Sequence, residues 1–249
     1  MKITLLGTGA AGGVPLFGCQ CLICLRAKKD SSLRRLPACA LIEVNGKAYL
    51  IDAGIMDIGE RFEASGLHGI FLTHFHPDHV QGLFHIRWGT KPQIPVFCPP
   101  DKDGCADLYK HPGLLEFRHL KKFGTIALNE LEVISLPLIH SKLTYGYLFK
   151  NAKVSLAYVT DTKGLPPKVS DFLKSIGLDC LIIDTSSPPN VENKNHNNLK
   201  DTLAIHDLIC PKKTVLTHIG HDLDNWFDQT NAKLPENMII GRDGISIEL

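Results

Sequence analysis

Apolar runs in this sequence repeatedly stop on a single histidine or aspartate, and one of them, Gly69-Ile70-Phe71-Leu72, leads into Thr73-His74-Phe75-His76-Pro77-Asp78-His79. The alternation of His74, His76 and Asp78 puts their side chains on one side of an extended strand end, before the chain turns into a helix that carries His79. Imidazole and carboxylate donors in this density suit zinc, iron or manganese, and there are enough of them for two ions to share. The same ending recurs in Leu136-Pro137-Leu138-Ile139-His140, Ala157-Tyr158-Val159-Thr160-Asp161 and Val215-Leu216-Thr217-His218. Strand ends are where α/β sheets gather active-site groups. Asp52, closing Tyr49-Leu50-Ile51-Asp52, has the same placement and is expected behind an imidazole, fixing its tautomer.

Strand-like and helix-like stretches alternate along all 249 residues, of which 44% are hydrophobic and 21% charged, so one large α/β domain over 1–249 is expected. Strands are read at 3–6, 40–44, 48–52, 70–73, 95–98, 132–136, 145–149, 155–160, 180–184, 215–217, 238–240 and 245–248. Helices are read at 22–29, 79–84, 104–111, 167–175, 199–208 and 224–230. The formal net charge of +1 offers no basic field for a nucleic-acid backbone, so stable nucleic-acid binding is not expected. No apolar stretch reaches membrane-spanning length, and the N-terminus turns glycine-rich before a signal-peptide core forms. A cytoplasmic protein without a membrane partner is expected.

Gly7-Thr8-Gly9-Ala10-Ala11-Gly12 matches a dinucleotide-binding pattern, but Gly13, Val14 and Pro15 argue against the helix that pattern needs. A turn that lets backbone pass close beneath a site is the better reading. Cys19, Cys21 and Cys24, in an insert at about 18–26, supply three ligands of a tetrahedral zinc site. His221, one short turn beyond His218, is the candidate for the fourth. Cys39, Cys98, Cys105, Cys180 and Cys210 read as small buried hydrophobes. The polar, turn-rich stretch from Ser186 to Asn198 reads as a surface loop, and His196 within it is placed to reach an active site.

His74, His76, Asp78 and His79 with His140, Asp161 and His218, after the opening Gly7-Thr8-Gly9, resemble the metallo-β-lactamase superfamily over nearly the whole length. That resemblance implies an αβ/βα four-layer sandwich of two mixed sheets with a dinuclear site at a sheet edge. It assigns His74, His76 and His140 to one metal, Asp78, His79 and His218 to the other, and Asp161 to both. β-Lactamases proper have a cysteine where Asp161 stands, which argues against β-lactam hydrolysis. The Cys-rich insert, Gln81-Gly82-Leu83-Phe84 with Arg87-Trp88-Gly89, Lys110 to Leu115 and His140 to Tyr147 are similar to the PhnP-type cyclic phosphate phosphodiesterases of the carbon-phosphorus lyase pathway. That family implies opening of 5-phosphoribosyl 1,2-cyclic phosphate to ribose 1,5-bisphosphate, manganese at the catalytic pair, a separate structural zinc and a homodimer.

The catalytic pair would accept zinc as well as manganese. Cations sharing Asp161 would activate water against phosphorus and offset the charge of the transition state. Asp78 and His196 are expected to serve the reaction directly, His196 by protonating the departing 2-oxygen. Lys142, Arg34, Arg35 and Arg87 are candidates for the far phosphate of the sugar. The rival readings are a tRNase Z-like or other RNA phosphodiesterase, which would share every metal ligand but need an RNA-gripping arm, and a non-catalytic zinc-binding module.

Overall fold

In the computed structural model of the protein, every residue from 1 to 249 is described except Lys91 and Glu130. The strands are β1 (Lys2–Gly7), β2 (Cys39–Val44), β3 (Lys47–Ile51), β4 (Leu67–Phe71), β5 (Ile94–Cys98), β6 (Leu115–His119), β7 (Thr125–Leu128), β8 (Leu131–Pro137), β9 (Tyr145–Lys150), β10 (Ser155–Val159), β11 (Cys180–Asp184), β12 (Lys213–Thr217), β13 (Met238–Ile240) and β14 (Ser246–Glu248). The helices are α1 (Leu22–Lys29), α2 (Ile58–Arg61), α3 (Pro77–Ile86), α4 (Ala106–Lys110), α5 (Pro167–Ile176), α6 (Leu199–Ile209) and α7 (His221–Thr230).

Period-two alternation of large apolar residues makes two sheets with both faces buried. Their orders are β14-β1-β2-β3-β4-β5-β6 and β13-β12-β11-β10-β9-β8-β7. Ile3, Leu5, Ile51 and Phe71 of the first sheet meet Tyr147, Phe149, Tyr158 and Ile182 of the second in a central core. The residues between them point outward, Leu50 and Ile70 toward α2 and α3, Val159 and Ile183 toward α5 and α6. Burying a side chain of this size contributes about 1.5–3 kcal/mol, so a strand whose two faces are both covered has a strongly specified register. The result is the expected four-layer sandwich of two mixed sheets.

The strands that lead to the site lie inside each sheet and pair in parallel: β3 with β4, β10 with β11, and β11 with β12. Parallel neighbours deliver their C-terminal ends to one edge, which brings Asp52, the 73–79 segment, Asp161, Asp184 and His218 together. Pro77 occupies the first turn of α3, where a missing N–H costs nothing, and Asp78 lies in the same turn facing the positive helix end. A Cβ on Gly54 would collide with the Asp78 carbonyl, so this glycine permits the close approach that seats α3 against the strand end.

Two strands, β6 and β7, were not expected. Each borders its sheet, and β7 alternates between exposed and half-buried positions, so neither carries the apolar run that marks a central strand. The glycine-rich loop after β1 starts no helix, as expected, and α1 begins only at Leu22. Cys210 departs from the expectation of burial: it is exposed at the left-handed C-cap of α6. Among the described residues, no helix is long and apolar enough to cross a membrane.

Candidate metal centre

Asp161 lies at the middle of the histidine cluster. Its Oδ2 is 3.3 Å from His79 Nε2 and 3.7 Å from both His74 Nε2 and His140 Nε2, and its Oδ1 is 3.5 Å from His218 Nε2. His76 Nδ1 lies 2.8 Å from His74 Nε2 and 3.1 Å from His140 Nε2. Asp78 Oδ2 lies 3.4 Å from both His79 Nε2 and His218 Nε2. Two ligand groups result, His74, His76, His140, Asp161 and Asp78, His79, His218, Asp161, each with its donor atoms within 4.8 Å of one another.

The far sides of these imidazoles explain which nitrogens converge. His79 Nδ1 is 2.7 Å from the Asp52 carboxylate, so the proton sits there. Thr73 Oγ1 donates to Asp52 and accepts from His74 Nδ1 at 3.0 Å. His140 Nδ1 donates to the Asn195 carbonyl at 3.1 Å, and Ser186 Oγ, itself donating to the His218 carbonyl, accepts from His218 Nδ1 at 3.1 Å. With four Nδ1 atoms engaged outward, four Nε2 lone pairs face Asp161. Backbone strain accompanies this arrangement: Asp52 and His218 adopt φ of 58° and 55°, in the left-handed region.

Such a convergence of lone pairs and carboxylates is repulsive without a cation. Among the described residues, His79 Nε2 is buried with no hydrogen-bond partner, an orphan that a divalent metal would satisfy. Burial opposes a charged His79, but Asp161 and Asp52 outweigh it and push its pKa well above the usual imidazole range. Positive charge is wanted at this spot, whether from a proton or a metal. Burial, with His79 beside it, pushes His74 well below that range. Burial likewise opposes ionisation of Asp161, yet His218, His79 and His74 hold its carboxyl well below the usual carboxylate range. A neutral His74 beside an ionised Asp161 has the protonation states that metal ligation requires, and at His79 a metal would take the place of the proton.

His196 roofs the cluster. Its ring stacks on His218 at 4.8 Å and 13° and lies 5.1 Å from the His140 ring. Its Nδ1 is 2.9 Å from Asp184 Oδ2, a fully buried carboxylate, which leaves Nε2 for chemistry. Burial and the neighbouring Asp161 push the Asp184 carboxyl up. Asp184 was missed from the sequence, although Leu181-Ile182-Ile183 stopping on it is the same signal that marked Asp161.

The cysteine insert forms a second ligand group. Cys19, Cys21, Cys24 and His221 have donor atoms within 4.8 Å of one another, with His221 Nδ1 3.5 Å from Cys19 Sγ and 3.6 Å from Cys21 Sγ. The Leu16 and Cys21 amides donate to Cys24 Sγ and Cys19 Sγ, bonds that favour thiolate. Burial, with Cys21 and Cys19 beside it and against the Leu16 amide, pushes Cys24 up to about 12, so a cation is needed to keep it ionised.

Residues 48–219 match the family model described as a β-lactamase superfamily domain. The chain belongs to that superfamily. Its two seven-stranded sheets flanked by helices have the metallo-β-lactamase fold, which implies divalent metal ions. A crystal structure of a diphosphatase from the PhnP family is 28% identical, with a TM-score of 0.83 over 100% of this chain and 97% of that one. Human tRNase Z, short form, shares the fold at 17% identity and a TM-score of 0.72, covering 100% of this chain and 99% of that one. An octanoyltransferase of Porphyromonas gingivalis is 26% identical over 262 residues, covering 98% of this chain and 51% of the relative. The chain spans about half the length of the curated relatives it matches.

Of the four cations expected near a substrate phosphate, two are committed elsewhere. Arg35 is 2% exposed and forms a two-pronged ion pair with Asp224 at 2.6 and 2.8 Å, with further bonds to Thr8 Oγ1 and the Gly241 carbonyl. It joins the glycine loop to α7, the helix that begins with His221. Arg87 is also buried, paired with Asp107 at 2.7 Å and bonded to backbone carbonyls. Arg35 is thus held on several sides, and Arg87, whose Nε is buried without a partner among the described residues, is kept from the surface by burial. Arg34 is exposed, with its Nε on the Ala27 carbonyl. Lys142 shares a loop with His140, and among the described residues its counter-ion is Asp101 at 3.8 Å. Arg35→Met is expected to lower unfolding free energy by about 3–5 kcal/mol, because it strands Asp224 in the interior. Urea denaturation checks this, and an unchanged midpoint contradicts the structural role.

Proposed function

We propose that this protein is a metallo-hydrolase, a cyclic phosphodiesterase that opens 5-phosphoribosyl 1,2-cyclic phosphate to ribose 1,5-bisphosphate in phosphonate catabolism. The observation that carries the reading is the pairing of two ligand groups around one shared carboxylate, Asp161, with a histidine and its own buried aspartate above them. The likeness to a PhnP-family diphosphatase supports phosphoryl chemistry on this scaffold.

His74, His76 and His140 would hold one divalent cation, Asp78, His79 and His218 a second, and Asp161 both, with manganese proposed and zinc compatible. Bound there, the cations supply Lewis-acid activation of water and offset negative charge gathering on the phosphate. Asp52, Thr73, Ser186 and the Asn195 carbonyl orient the imidazoles by holding their Nδ1 protons. His196 holds the transferable proton on Nε2 while Asp184 keeps Nδ1 protonated. As water adds to phosphorus and the bond to the 2-oxygen breaks, that proton passes from Nε2 to the oxygen, leaving the phosphate on carbon 1. Lys142 and Arg34 are the remaining candidates for the 5-phosphate. The enzyme is proposed to act in the cytoplasm as a homodimer.

The test compares turnover of 5-phosphoribosyl 1,2-cyclic phosphate, bis-p-nitrophenyl phosphate, a pre-tRNA and an octanoyl ester with manganese or zinc added. Hydrolysis of the two diesters alone supports the proposal. Cleavage of pre-tRNA in preference to the sugar phosphate would transfer the site to the tRNase Z-like reading, and no turnover with any metal would favour a binding module.

We further assign Cys19, Cys21, Cys24 and His221 to a structural zinc, separate from the histidine site because its donors are mostly sulfur. Cys21→Ser is expected to release one tightly held zinc and lower thermal stability more than it lowers diester turnover per folded molecule. A stable variant that retained its zinc but lost turnover would contradict the assignment.

A further inference from the structure

The loop that carries His196 is held by asparagines. Asn193 Oδ1 accepts from the Asn195 and His196 amides at 2.9 and 3.1 Å. Asn198 caps α6 and exchanges a reciprocal pair of bonds with Asp201, whose carboxylate also accepts from Lys163 Nζ at 2.6 Å. Between these two lies Asn197, fully buried. Its Oδ1 accepts from the Gly164 amide at 2.7 Å, and its Nδ2 donates to Asp184 Oδ1 at 3.1 Å. The other oxygen of Asp184 is the one that meets His196 Nδ1.

Asp184 therefore has one oxygen for Asn197 and the other for His196. We propose that Asn197 is a positioning residue for proton delivery: anchored on Gly164, it stops the Asp184 carboxylate from turning about its own axis and so fixes the direction of His196 Nε2. The inference rests on the reading of His196 as the acid. A buried amide in this place is costly unless both ends are bonded, and here both ends are, one to the turn after β10 and one to Asp184. Without it, Asp184 Oδ1 loses its side-chain donor and keeps only the nearby Thr162 and Asn197 backbone amides, so the carboxylate is freer to turn at the expense of His196. The charged alternative, Asn197→Asp, keeps the acceptor for Gly164 but turns an oxygen toward Asp184, replacing attraction with repulsion.

The experiment uses the metal-loaded enzyme and two diesters, 5-phosphoribosyl 1,2-cyclic phosphate, whose alkoxide needs a proton to depart, and bis-p-nitrophenyl phosphate, whose phenolate does not. For Asn197→Ala and Asn197→Asp, kcat on the cyclic ester is expected to fall about 10–100-fold, the range typical of lost outer-shell partners, and to fall roughly tenfold more than on the aryl ester. Adding Asn197→Ala to His196→Ala should cost the cyclic ester nothing further, because the two residues act in one chain. A purely structural role predicts equal losses on both substrates and losses that add in the double variant; either result overturns the proposal. If the alanine variant does not fold, the near-isosteric aspartate variant carries the same comparison. A His196→Ala enzyme that loses both substrates alike overturns the acid reading and the positioning role together. Substrate-selective loss in His196→Ala beside non-selective loss in the Asn197 variants overturns the positioning role alone.

Discussion

Asp161→Asn is expected to lower turnover of bis-p-nitrophenyl phosphate by more than about 100-fold, since losing even an outer-shell partner of a metal site typically costs 10–100-fold. The substitution keeps size and shape but removes the negative charge that four Nε2 atoms face within 3.7 Å. Two cations held close together repel each other, and a shared anion is what offsets that repulsion. Metal analysis of the purified variant should show fewer than two exchangeable ions, while circular dichroism stays that of the wild type. Wild-type turnover in Asp161→Asn would sink the dinuclear reading.

His196→Ala should divide substrates by their leaving groups. General acid catalysis contributes about 100- to 10,000-fold, and it does so only where the departing oxygen needs a proton. Hydrolysis of the cyclic ribose phosphate should fall by that factor, hydrolysis of the p-nitrophenyl ester much less, and metal content should not change. The structure sharpens this expectation, because His196 Nδ1 is occupied by Asp184 and its ring packs on His218 rather than joining the ligand groups around His74 or His79 through a short contact. Loss of one metal in His196→Ala would make it a ligand instead, as the grouping of Asp161, Asp184, His196 and His218 donor atoms allows.

The expected strands and helices of the centre of the fold agree with the structure because each was buried on one or both faces, and burial leaves a periodic trace in the residues themselves. β11 and β13 keep their expected bounds, whereas the bordering β6 and β7 left no such trace. The site followed the same logic. His74, His76, Asp78 and His79 announce themselves by local spacing, and His140, Asp161 and His218 by interrupting apolar runs. The helix α1 keeps its expected bounds, α5 and α6 their expected starts, and the largest movement is at α7, which starts at His221 rather than near Asp224.

Sequence by itself determined the alternation of strands and helices, the seven residues around the histidine centre and the thiolate character of the second group, because each leaves a local pattern in the chain, whereas the four layers came from the family resemblance. Tertiary structure alone decided how the remaining polar groups are used. Arg35 looked available until its partner Asp224, 189 positions away, was brought against it. Asn197 looked like one of several loop asparagines until folding put its two ends on Gly164 and Asp184. The physical reason is that a buried polar group is defined by what satisfies it, and that partner is set by how the strand ends and loops pack together, which no local pattern records.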